Sequence, residues 1–199
     1  IDDGSTDRTG EIADRYAEKY PEIVRAVHQK NGGHGAGVNK GLSLATGEYF
    51  KVVDSDDWLD ITALKQLLEK IEKAEEAGMA PDLIICNYLY DHLYEGKQKR
   101  MSYENVFRDG EVCTWDTIGK FRPSQYLVMH AQICRTEVLR TSGVHLPRHT
   151  FYVDNLFANQ PLPFVKTIQY LDLDLYHYFL GRADQSVNEH VLMRRIDQQ

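Results

Sequence analysis

The chain has 199 residues, 42% of them hydrophobic and 27% charged, with 23 Lys plus Arg against 30 Asp plus Glu for a formal charge of −7. This make-up is that of a globular protein and excludes collagen-like, coiled-coil and disordered classes. The acidic balance argues against nucleic acid as a partner, and no run of about 18 apolar residues is present to span a membrane.

Cys86, Cys113 and Cys134 are far apart and form no CxxC pair. They support neither a zinc ribbon nor a disulfide framework, and a reducing compartment fits them best. The chain starts at Ile1-Asp2-Asp3-Gly4 rather than at Met, which reads as a strand end entering a turn. We therefore expect a segment upstream of it.

Ser5 and Asp7 precede Ile12, Ala13, Tyr16, Ala17 and Tyr20 at helical spacing, and Pro21 closes that helix. Residues 23–27 read as a strand, 30–37 as a flexible glycine-rich loop, 38–45 as a short helix and 49–53 as a strand entering an acidic turn. Leu64, Leu67, Leu68 and Ile71 mark an amphipathic helix ending near Gly78. Residues 83–90 form an apolar strand with a hairpin partner beyond Lys97. A short helix is expected over 114–121, a strand over 128–134, helices over 136–141 and 155–159, strands over 167–171 and 175–180, and a last helix from Val187. Alternating helix and strand over the first 90 residues predict a parallel-rich α/β sheet.

Three clusters carry chemistry. Asp54-Ser55-Asp56-Asp57 places three carboxylates at a strand end, where ligands of open α/β sheets bind. Their repulsion calls for a cation, and hard oxygens suit Mg²⁺ or Mn²⁺; the plainer reading is a helix N-cap. Asp2-Asp3-Gly4-Ser5-Thr6-Asp7 reads as acceptors for N–H or ribose hydroxyl groups, or as an Asx turn with a helix cap. Asn31-Gly32-Gly33-His34-Gly35-Ala36-Gly37-Val38-Asn39 reads as a loop that allows close approach of a phosphate or sugar, and it lacks the Lys-Ser/Thr of a P-loop. His34 reads better as a solvated loop residue than as a ligand. Trp58 reads equally as a sugar-pocket wall and as core.

In this order and spacing, with Ala45-Thr46-Gly47-Glu48-Tyr49-Phe50 before the acidic turn, the three clusters resemble family 2 glycosyltransferases of the GT-A fold. The resemblance is dense from Ile1 to Asp60 and returns near 151–186. It implies a Rossmann-like α/β sandwich with a mixed, mostly parallel central sheet. Residues 1–95 would be a nucleotide-sugar-binding half without its first strand and helix, and 96–199 the acceptor-side half of the same domain. It further implies a UDP-sugar donor, a divalent cation and inverting transfer to a carbohydrate or lipid-linked acceptor in glycan or cell-surface polysaccharide synthesis. The setting would be cytoplasmic, at or near the inner face of the membrane.

By match, Asp3 with Asp2 beside it would contact base or ribose, Asp54 the ribose or sugar, and Asp56 the metal, with Asp57 as a supporting acid. Gly33 and Asn39 belong to the donor loop, where many members carry Arg at the position of Val38. Asp154, in Phe151-Tyr152-Val153-Asp154-Asn155, matches the general-base position with one acid instead of the usual pair; its alternative is a helix cap. Arg182 in Gly181-Arg182-Ala183-Asp184-Gln185-Ser186 would meet a phosphate, or serve as a surface ion-pair partner. A metal-dependent sugar-nucleotidyltransferase and a non-catalytic nucleotide-sugar-binding fragment are the rival readings.

Overall fold

The computed structural model describes residues 1–181 and Met193. The expectations for Arg182, Gln185 and Ser186, and for the start of a helix at Val187, lie outside the described residues.

The sheet contains β1 (Tyr49–Phe50), β2 (Trp58–Leu59), β3 (Leu83–His92), β4 (Lys97–Met101), β5 (Val112–Cys113), β6 (Gln132–Arg135) and β7 (Ile168–Leu180). Its order is β1-β6-β3-β7-β2, with β4 also on β3 and β5 also on β7. The two halves of the chain share this sheet, because β1 pairs with β6 and β3 with β7.

The sheet is mixed, as expected, but its parallel share rests on the long β3–β7 ladder, the other named ladders being antiparallel. The expected strand at 23–27 does not form; just beyond it His28 makes an isolated parallel bridge with Asp2. Ile23 there is 85% exposed, so β-branched composition found no sheet face to cover.

Leu83, Ile84, Ile85 and Cys86 of β3 are all at most 1% exposed, as suits a strand covered on both faces. On one face lie α2 (His34–Leu44) and α5 (Val153–Asn159), whose Val38, Leu42, Val153 and Phe157 join Leu83, Ile85 and Tyr176 in the main core. On the other lies α3 (Ile61–Glu76), packing Ala63 and Leu67 against Ile84, Ile133 and Leu171. Asp60 caps α3 by accepting from the Ala63 amide at 2.7 Å. Leu68, one step round from Leu67, turns outward and is 56% exposed. Over residues 1–181 the other α-helices are α1 (Thr9–Lys19) and α4 (Thr136–Ser142).

Three boundaries differ from expectation for physical reasons. α2 starts at His34, four residues early, because Gly33 takes φ +83° as its N-cap. The two strands expected near the C-terminal end are one, β7: opposite Cys86, Asn87 and Tyr88 stand Leu171, Asp174 and Tyr176, so the extra residues are absorbed as bulges. The helix expected over 114–121 is a single 3₁₀ turn, Trp115–Thr117. Among the described residues no helix is long and apolar enough to cross a membrane.

Candidate functional site

The acidic turn sits between β1 and β2. The Asp57 amide donates to the Asp54 carbonyl at 3.1 Å and closes it. Tyr176 of β7 then fastens it: its hydroxyl donates to Asp57 Oδ2 at 2.5 Å and accepts from the Asp54 amide at 3.2 Å. The Phe179 amide donates to Asp57 Oδ1 at 2.9 Å. Asp57 is thus the anchor of the turn, and burial pushes its carboxyl up to about 6.

Asp54 faces α2, where Oδ1 lies 2.9 Å from His34 Nε2. That bond raises the imidazole's pKa against its partial burial, and the charges of Asp154 and Asp56 add to the rise. Asp154 occupies the first turn of α5, directly after Tyr152 at φ +60°. Burial raises the Asp154 carboxyl, offset in part by the Asn155 amide and by His34. Asp54 of the motif match thus contacts His34 directly, and the charges of Asp56 and Asp154 act on the same imidazole. The expectation of a solvated loop histidine gives way to a half-exposed first helical residue with a carboxylate partner.

The glycine segment is held in place from both sides. The Asp3 carboxylate accepts from Gln29 Nε2 at 2.6 Å, from the Gly32 amide at 3.0 Å and from the Gly33 amide at 2.7 Å. Asn39 makes a paired bond with Leu146, donating to its carbonyl at 2.8 Å and accepting from its amide at 3.0 Å. The His149 amide donates to the Gly32 carbonyl at 2.8 Å. A Cβ on Gly35 would stand 2.8 Å from Leu146 Cβ and Pro147 O, which is why glycine is needed inside this helix. Asp3 and Asn39 thus link the first motif, the glycine segment and residues 146–149, and the chain then runs directly into α5 and Asp154. Asp2 sits aside from the glycine segment: it bonds Ser5 and His28, which lower its carboxyl to about 2, and His28 bonds Asp14 in turn.

Beneath the turn lies a group that the sequence did not reveal. Lys51 Nζ donates to the His130 carbonyl at 2.8 Å and stands 5.0 Å from the Tyr176 ring centroid. Burial pushes the ammonium down to about 8. The His130 ring packs between Tyr88, Tyr176 and Tyr178 at 4.4–5.2 Å, and its Nε2 is buried without a hydrogen-bond partner. The alternation of Tyr176 and Tyr178 was the available signal for this face. Trp58 stacks on His177 at 4.9 Å, in the β2–β7 ladder.

Among the described residues no three His, Cys, Asp or Glu side chains form a ready-made metal cage. Two hard carboxylates, Asp54 and Asp56, still suit a small divalent cation that takes most of its remaining ligands from phosphate and water.

Comparison with known proteins bears on the family and the fold. The sequence profile described as Glycosyl transferase family 2 matches residues 1–135. The Escherichia coli (strain K12) glycosyltransferase YibD is 47% identical over 94% of this chain and 53% of its own length. Glycosyltransferase EpsH of Bacillus subtilis (strain 168) is 29% identical over 89% of this chain and 50% of its own. The chain thus spans about half the length of these relatives. The crystal structure of S. aureus TarS in complex with UDP-GlcNAc superposes with a TM-score of 0.67 at 24% identity, covering 91% of this chain and 48% of that one, and shares its GT-A fold. With the profile covering more than half of its residues, the chain belongs to glycosyl transferase family 2.

Proposed function

We propose that this chain is the donor-binding and catalytic part of an inverting glycosyltransferase that moves a sugar from a UDP-sugar to an acceptor hydroxyl. The observation that carries it is the 2.9 Å contact between His34 of the glycine segment and Asp54 of the acidic turn, an imidazole on which the charges of Asp56 and Asp154 also act. Support for the donor class comes from TarS, whose structure was solved with UDP-GlcNAc. The acceptor is a carbohydrate or lipid-linked glycan, reached at the inner face of the membrane.

Asp154 takes the proton from the acceptor hydroxyl. A carboxyl raised by burial is better matched to that task than an exposed one. The acceptor oxygen bonds to the anomeric carbon from the face opposite UDP, the bond from that carbon to the diphosphate oxygen breaks, and the configuration inverts. Asp56, with Asp54 beside it, would hold Mg²⁺ or Mn²⁺, which offsets the charge developing on the diphosphate. Asp3 and Asn39 act on the reaction by fixing the glycine segment and the approach to α5. The buried Tyr176 hydroxyl holds the acidic turn in register with them.

The test is release of UDP from a panel of UDP-sugars with Mn²⁺ and a glycan acceptor. Asp154→Asn should lower kcat about 10²- to 10⁴-fold while UDP affinity is kept. Turnover unchanged in Asp154→Asn overturns the base assignment. Pyrophosphate made from UTP and a sugar phosphate, with no UDP release, favours nucleotidyl transfer instead.

A further inference from the structure

A second cleft, of about 360 Å³, opens on the other side of the sheet from the acidic turn. Successive residues of β7 face opposite ways, so Tyr176 reaches the acidic turn while His177 lines this cleft. Thr62 and Gln66 of α3 form one wall, Gln98 of β4 another, and Leu89 and Leu173 add apolar surface.

Its polar groups are fixed in advance. His177 Nδ1 lies 2.7 Å from Asp91 Oδ2, and Gln98 Nε2 donates to Asp91 Oδ1 at 2.6 Å. Asp91 is only 6% exposed, so this dyad is an orienting device more than a surface ion pair. Trp58 stacks on the same imidazole at 4.9 Å, which immobilises the ring from its face. Asp172 and Asp174, which also line it, are held by Asn87 Nδ2 at 2.7 and 2.9 Å and by the Arg100 guanidinium. Asn87 is wholly buried at the β3–β7 bulge, so the bulge itself sets these two carboxylates.

The lining selects a ligand class. Among the described residues no Lys or Arg lines the cleft, and the neighbouring Arg100 is engaged by Asp172 and Asp174, so these residues offer a phosphate or nucleotide no free cation. Among the described residues no three side chains form a metal cage. What remains is a set of rigid planar acceptors, a hydroxyl and an amide donor, beside an apolar strip. That set matches the alternating hydroxyl and C–H faces of a neutral sugar. The volume is at the low end of small-molecule sites, about 300–1,000 Å³. We infer that this cleft is a second saccharide site, which holds one or two neutral sugar units of a glycan on the face of the sheet away from Asp154.

The inference stands independently of the donor reading, and the experiment separates them. Saturation-transfer NMR would be run with neutral trisaccharides of glucose, galactose, N-acetylglucosamine and rhamnose, without UDP or metal. Thr62→Trp and Gln66→Trp place a large ring into the cleft from exposed helix positions, and thermal melts verify their folding. At least one trisaccharide is expected to bind the wild type, with a tenfold or greater loss in both variants and UDP affinity unchanged within twofold. No binding by any trisaccharide, or affinity that survives both substitutions, overturns the inference. Absence of UDP binding in the wild type would instead count against the donor reading alone.

Discussion

His34 Nε2 and Asp54 Oδ1 are 2.9 Å apart, which ties the first residue of α2 to the first acid of the turn. The glycine segment and the acidic motif are thus one unit at the level of side chains. The bond favours the imidazolium, so the proton stays on to higher pH than on a free histidine. In an NMR titration the His34 resonances should turn over above the ordinary 6.5. Asp54→Asn should bring the midpoint back down. A midpoint unaffected by that substitution would mean that the pair does not form in solution.

Asp3 is the acceptor for three donors at once, two of them backbone amides of the glycine segment. Asp3→Asn keeps the shape but turns an amino group toward N–H donors. Leaving such a group unmatched is worth about 1–3 kcal/mol. Urea denaturation should show a loss of this size, and UDP affinity should fall with it because the segment loosens. A stability change near zero would show that the carboxylate's work is done on a ligand instead.

The parts of this structure that sequence displayed are those where one residue type has one physical use. Repelling acids and a glycine run before a helix stood out as two motifs in the sequence, and in the structure the His34–Asp54 bond joins them. What the motif hid was the frame that these residues also hold. Asp3 and Asn39 read as donor contacts in the linear pattern, and in the structure their polar atoms bond Gly32, Gly33 and Leu146 as well. Asn39 and Leu146 are 107 residues apart, a separation that no local rule reads. β7 was read as two strands because Asp172 and Asp174 interrupt its apolar run. A bulge opposite Asn87, and bonds from that buried amide, let the strand continue through them.

Lys51 gives a prediction whose sign is set by burial. Its ammonium has carbonyl and aromatic partners under the acidic turn, and its pKa falls from 10.5 to about 8. Between those values the unfolded chain holds the proton that the folded protein has released. Stability therefore rises with pH across that window. The gain attributable to Lys51 is at most about 3 kcal/mol. Other groups also titrate there, so the informative quantity is the difference from Lys51→Met, which removes the charge at similar length. Near pH 7 the Met variant should match or exceed the wild type in urea denaturation, since a buried cation is no longer carried. Toward pH 10.5 the wild type should gain on it by up to the stated amount. A difference that stays flat from pH 8 to 10.5 would show that Lys51 reaches water in the folded protein.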